Sequence, residues 1–136
     1  MRKFHEAKTR GEREVILWGS GRPRREFLYV DDLAEACEVV LGLSDVTEPI
    51  NIGPGITHTI EELARAIAEV VGFGGEIRWD VSQPDGAPEK RLASERIQSL
   101  GWRPRIDLQT GLLQTYRWFL EYEATARERE QACVSS

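Results

Sequence analysis

One alternation constrains this chain more than any other feature. Short runs rich in β-branched and aromatic residues, each closed by turn residues, alternate with segments whose apolar residues recur at helical spacing. Val15-Ile16-Leu17-Trp18, Phe27-Leu28-Tyr29-Val30, Pro49-Ile50-Asn51-Ile52 and Glu76-Ile77-Arg78-Trp79-Asp80 read as strands. Gly19-Ser20-Gly21-Arg22-Pro23 between the first two is turn chemistry, so residues 15–30 read as a hairpin with a long tip. Residues 1–8 read as the end of a helix. A second helix is expected after a cap at Asp31 or Asp32, with Leu33, Ala36, Cys37, Val40 and Leu41 on its apolar face. Thr59 and Glu62 have the spacing of a capping box, ahead of Leu63, Ala64, Ile67, Val70 and Val71 and a stop at Gly72. Ser94 to Leu100 reads as a short helix closed by Gly101. Asp107 opens a last helix with a buried stripe of Leu112, Leu113, Tyr116, Phe119 and Leu120. Short strands between helices make this an α/β domain, a small mixed sheet with flanking helices. So few strands fit a domain that completes its sheet against a partner.

Composition narrows the classes. Hydrophobic residues are 40% and charged residues 30%, the balance of a globular chain. No apolar run has the ~20 residues of a membrane span, and the basic start carries no apolar stretch after it. Cys37 and Cys133 are far apart, one in a helical apolar pattern and one in a polar tail, so no disulfide and a reducing cytoplasm are expected. The net charge of −5 disfavours nucleic acid as a partner. Within that acidic chain Arg22, Arg24 and Arg25 crowd one loop, and Lys90 and Arg91 follow another, which suits a small anion such as a phosphate group.

Three stretches can carry chemistry. In Trp18-Gly19-Ser20-Gly21-Arg22-Pro23-Arg24-Arg25 an indole at a strand end can stack on a base or sugar, and guanidinium groups can grip phosphate oxygens. Its G-x-G lacks a third glycine and a following helix, so it is not a dinucleotide fingerprint. In Ser82-Gln83-Pro84-Asp85-Gly86-Ala87-Pro88-Glu89-Lys90, Asp85 can accept from sugar hydroxyls and Lys90 can place a point charge on a phosphate. Asn51-Ile52-Gly53-Pro54-Gly55 permits close backbone approach. A solvated hairpin tip, an Asp-Gly turn and a structural turn are the plain alternatives for the three. His5 and His58 have no metal-ligand spacing. Tyr29, Tyr116 and Tyr122 lack a Lys four residues on, Cys37 reads as core, and Trp79, Trp102 and Trp118 read as packing residues.

RKFHEAK, VILWGSGRPRREFLYVDDLAEAC, INIGPG, TIEELARAIAEVVGF, SQPDGAPEK and LGWRP together resemble the GDP-L-fucose synthases, extended short-chain dehydrogenase/reductases, over nearly the whole chain. The middle motif occurs in looser form in other sugar-nucleotide epimerases and dehydratases. Its pairing with RKFHEA and the PDG loop is more specific. The resemblance implies residues 1–122 as the C-terminal, GDP-sugar-binding domain of an NADPH-dependent epimerase/reductase. It implies residues 123–136 as a polar tail that frays, and an N-terminal Rossmann domain outside this chain. It implies a substrate set of Lys3, Trp18, Arg25, Asp85 and Lys90, with no catalytic or cofactor-binding residue here. NADPH belongs to the family's missing half. An isolated chain is then expected to be inactive and prone to self-association. A related nucleotide-sugar epimerase or dehydratase, and a non-catalytic sugar-nucleotide-binding module, are the alternatives. Glu89 stands where the family commonly has a basic residue, and Ala93 where it commonly has an Asp.

Overall fold

The computed structural model describes residues 1–44 and 47–134, with side chains up to residue 123. The order of elements is α1 (Arg2–Arg10), β1 (Glu14–Trp18), β2 (Arg24–Glu26), α2 (Val30–Leu41), β3 (Thr57–Thr59), α3 (Ile60–Val71), β4 (Glu76–Asp80), β5 (Glu89–Lys90), α4 (Glu95–Ser99) and α5 (Leu108–Val134). The strands make two small sheets. β1 pairs with β4 in parallel, Val15 opposite Ile77 and Trp18 opposite Asp80. β2 lies between β3, antiparallel, and β5, parallel. The mixed α/β character expected from the sequence is therefore present.

Alternation along β1 decides which face is buried. Val15 and Leu17 point, with Ile77 and Trp79 of β4, into a core built with Phe4 and Ala7 of α1, Ala64, Ala68 and Val71 of α3, Phe73, and Tyr116 and Phe119 of α5. Ile16 and Trp18 face outward. A second cluster holds Ala36 of α2, Ile97 of α4 and Trp102, with Leu28, Val39, Ile50 and Ile52 packed against it.

The start of α3 is over-determined. Thr59 Oγ1 accepts from Glu62 N at 3.0 Å, and Glu62 accepts from Thr59 N at 2.8 Å. The next orphan donors find the turn between β1 and β2. Ile60 N donates to Pro23 O and Glu61 N to Gly21 O. That turn is held by other elements rather than by itself, which is why the expected 15–30 hairpin does not form. β1 and β2 go to different sheets.

Other expectations shift. The second strand is Arg24–Glu26, not residues 27–30; Tyr29 O already accepts from Leu33 N, so the helix begins before the two aspartates. Neither aspartate caps it. Asp32 is only 2% exposed, and its carboxylate accepts from Arg105 N and Ile106 N, fastening the approach to α5 onto α2. Once Asp32 and Ala36 define the inner face, Cys37, Leu33 and Leu41 lie on exposed positions. Cys133 lies outside the residues whose side chains are described. Residues 49–52 are irregular, because Ile50 and Ile52 are apolar to fill the second core rather than to join a ladder. Trp118 is 61% exposed and stacks on Tyr122 rather than packing inside. α5 continues through residues 123–134, where the expected tail would fray. Ala, Glu, Arg and Gln there are good helix formers, with neither Gly nor Pro to stop them.

Because the box caps the first turn of α3, Thr59→Ala should destabilise the fold by about 1 kcal/mol. The measurement is the midpoint of urea unfolding, with an unchanged slope.

Candidate functional site

The parallel pairing of β1 and β4 sends both chains out at the same edge of the sheet. Two loops therefore leave side by side, residues 19–23 and residues 81–88. Trp18 ends β1 with 74% of its surface exposed. Gly19 N continues the ladder by donating to Asp80 O at 2.9 Å.

Asp85 reaches back across the gap. Its two carboxylate oxygens accept from Ser20 N at 2.5 Å and from Ser20 Oγ at 2.6 Å. The Ser20 hydroxyl and amide, aided by the nearby Arg22 charge, hold its carboxyl below the ordinary aspartate value of 3.8. Gly19 is required by this clasp. It has φ 80°, and a Cβ there would lie 2.5 Å from Asp85 Oδ1. Sequence reasoning singled out Asp85 but missed Ser20, whose role depends on a partner 65 residues away.

The second sheet supplies the cations. Arg25 stands opposite Lys90 in the β2–β5 register and opposite His58 in the β2–β3 register. Register partners share a face, so all three project from one side. A Cβ on Gly86 would lie 4.0 Å from Arg25 Nη2, so the PDG loop runs along that guanidinium. Arg25 Nη1 donates to Arg24 O at 2.6 Å. Neither Arg25 nor Lys90 makes an ion pair among the described residues. Arg24 is committed elsewhere. It alternates to the other face and donates to Thr57 Oγ1 and Thr57 O, and Thr57 Oγ1 in turn donates to Glu89 at 3.2 Å. Lys3 donates through Nζ to the carbonyl of Ile16, two residues from Trp18 on the same outward face.

Two pairs are thus set by direct neighbours: Trp18 and Asp85 around the 19–20 turn, and Arg25 and Lys90 across β2 and β5. Lys3 joins through β1. Asp80 adds a carboxylate beside Trp18, held low mainly by the Ser82 hydroxyl and then its amide. Such an edge offers an aromatic plate, free cations and carboxylate acceptors, which suits an anionic, hydroxyl-rich ligand. The glycine turn does not suit a dinucleotide phosphate. Its open sides are filled by Asp85 and by the Trp79 ring, 2.7 Å from where a Gly21 Cβ would sit, and a strand follows it. No step through a nicotinamide cofactor is derived from these residues. Hollows elsewhere among the described residues include two of note. One is lined by Glu35, Val39, Trp102 and Arg105, the other by Leu28, Tyr29, Val30, Thr115 and Trp118.

Removing the Ser20 hydroxyl should raise the Asp85 pKa toward 3.8. In the native chain the clasp contributes fully above about pH 4 and is lost as pH falls through the depressed value. A carboxylate NMR titration of wild type and Ser20→Ala measures the shift.

Residues 1–53 match the NAD dependent epimerase/dehydratase family. A putative GDP-L-fucose synthase 2 of Arabidopsis thaliana is 52% identical over 121 residues, covering 89% of this chain and 37% of that protein. The GDP-L-fucose synthase of Escherichia coli K12 is 47% identical over 130 residues, covering 89% of this chain and 40% of that protein. Among solved structures, a GDP-L-fucose synthetase from Naegleria fowleri bound to NADP superposes with a TM-score of 0.85 at 26% identity, covering 91% of this chain and 39% of that one. The chain spans under half the length of these relatives. Its sequence is thus similar to part of the GDP-L-fucose synthases, and its mixed α/β fold to part of a solved GDP-L-fucose synthetase.

Proposed function

We propose that residues 1–122 form the GDP-sugar-binding portion of a GDP-L-fucose synthase-like, NADPH-dependent epimerase/reductase. The observation that carries this reading is the Arg25–Lys90 pair, in register beside the PDG loop and without ion-pair partners among the described residues. Two cations on one face complement the two negative charges of a diphosphate. Trp18, exposed at the end of β1, is available to stack on the sugar or base. Lys3 steadies that strand through the Ile16 carbonyl and extends the cationic edge. Asp85 acts in this reading chiefly by clasping its loop to Ser20, with remaining lone pairs for a sugar hydroxyl.

Hydride transfer in this reading needs groups that this sequence does not contain. It has no glycine-rich dinucleotide loop and no Tyr-x-x-x-Lys pair. The reading therefore assigns the cofactor, and the residues that act on the sugar ring, to a Rossmann domain outside these residues. The purified chain is expected to show no NADPH oxidation with a GDP-4-keto-6-deoxy sugar. The groove lined by Leu28, Val30 and Trp118, continued by exposed Tyr122, supports a face that such a domain or a second copy covers. Without that domain the chain should self-associate. Sedimentation at rising concentration checks this; a clean monomer that binds no hydrophobic dye would count against it.

Calorimetric titration with GDP tests the site. Arg25→Ala should weaken binding roughly ten- to a hundredfold, the effect of losing one charge-assisted contact. Arg22→Ala should weaken it far less, because Arg22 lies on the turn beside Asp85 rather than in the Arg25–Lys90 register. Equal losses would reduce the site to a diffuse basic patch. Tighter binding of UDP than GDP would favour a related UDP-sugar enzyme.

A further inference from the structure

We propose that Glu26 is a positioning residue for this anion site: its carboxylate sets the register of β5 and so holds Lys90 beside Arg25. The inference rests on the diphosphate reading above for its function, and on geometry alone for its structural half.

The β2–β5 ladder that carries Lys90 is two register pairs long, Arg24 with Glu89 and Arg25 with Lys90, prolonged by Arg24 N donating to Pro88 O at 2.8 Å. So short and exposed an edge strand does not specify its own register. The consequence of a slip is severe. A shift of one residue would turn Lys90 to the opposite face, among Arg24 and Thr57, and bring Glu89 to Arg25. Something beyond the ladder must prevent it.

Glu26 is the next residue of β2 after that ladder, and its side chain takes over. Oε2 accepts from Leu92 N at 2.7 Å, just past the end of β5. Oε1 accepts from Gly55 N at 3.1 Å, in the loop that leads to β3. One carboxylate thus ties both neighbouring segments to the central strand. Glycine at residue 53 lets the 51–55 loop pack closely against Glu26 and Ser94. A Cβ there would lie 3.0 Å from Ser94 Oγ and 3.2 and 3.3 Å from the two Glu26 oxygens. Asn51 Nδ2 adds a second tie, donating to Ala93 O at 3.3 Å. Ser94 is buried there, its Oγ facing Gly53. Glu26 is on the Arg24 face, away from Arg25 and Lys90, so it acts on the site through the backbone and not as a ligand.

A carboxylate is suited to this task because both oxygens accept. Glutamine offers one acceptor oxygen and would set an N–H₂ against one of the two backbone N–H groups. The test uses the whole chain, with inorganic pyrophosphate as probe, in wild type, Glu26→Gln, Lys90→Ala and the double variant. Amide hydrogen exchange is followed at Leu92, Gly55 and the core residue Ala68. Glu26→Gln should speed exchange at Leu92 and Gly55 by about tenfold or more, leave Ala68 unchanged, and weaken pyrophosphate binding by about tenfold. In the Lys90→Ala background the same substitution should add nothing to the loss. Unchanged exchange at Leu92, an additive loss in the double variant, or faster exchange that extends to Ala68 would each overturn the proposal. If wild type fails to bind pyrophosphate, the diphosphate reading falls. The exchange pattern then decides by itself whether Glu26 sets the register of β5.

Discussion

The parallel pairing of β1 with β4 is the constraint on which the rest of this molecule depends. Parallel strands end on the same side, so the turn after Trp18 and the PDG loop after Asp80 emerge together although over sixty residues separate them. That juxtaposition lets Asp85 reach Ser20, and it lays the PDG loop against Arg25. An antiparallel partner for β1 would have placed the two loops at opposite ends. The pairing is itself held by burial of one face only, with Val15, Leu17, Ile77 and Trp79 turned to α1, α3 and α5. The outward face, with Ile16 and Trp18, is left for other contacts.

Carboxylates do much of the fastening. Asp32 takes the amides of Arg105 and Ile106, Asp85 the amide of Ser20, Glu26 those of Gly55 and Leu92, and Glu62 that of Thr59. Each uses the acceptor surplus of an ionised carboxyl to satisfy backbone donors that no ladder reaches. A chain with two- and three-residue strands leaves many such donors. These four carboxylates are taken up by backbone N–H groups, and Arg25 and Lys90 make no ion pair among the described residues.

Local signals were readable where the physics is local. The Thr59–Glu62 box, the stop at Gly72 and the opening of α5 at Asp107 all involve partners within a few residues, and all are present; strand Glu76–Asp80 is present too, though its ladder partner is β1. The readings that failed required knowledge of distant partners. Phe27-Leu28-Tyr29 joins no ladder; Leu28 packs on the second core. Asp31-Asp32 has the composition of a cap, yet Asp32 is drawn inward by a loop 73 residues away. Cys37 shares its helix's apolar pattern but lies on an exposed position, since Asp32 and Ala36 set which side is inside.

The candidate site divides the same way. Chemistry was legible in residue type: an indole at a strand end, arginines beside a glycine turn, and a Pro-Asp-Gly loop ending in lysine. Resemblance of those motifs to one enzyme family named the five residues of the set. Sequence by itself determined the helices, strands β1 and β4, the kinds of side chain available and the similarity to part of the GDP-L-fucose synthases. Only the tertiary structure decided which of those side chains are free and which are occupied. Arg24 and Arg25 are neighbours of the same type, yet alternation along a strand sends one to Thr57 and leaves the other beside Lys90. Strand register sets that difference, and register is fixed by contacts across the fold rather than along the chain.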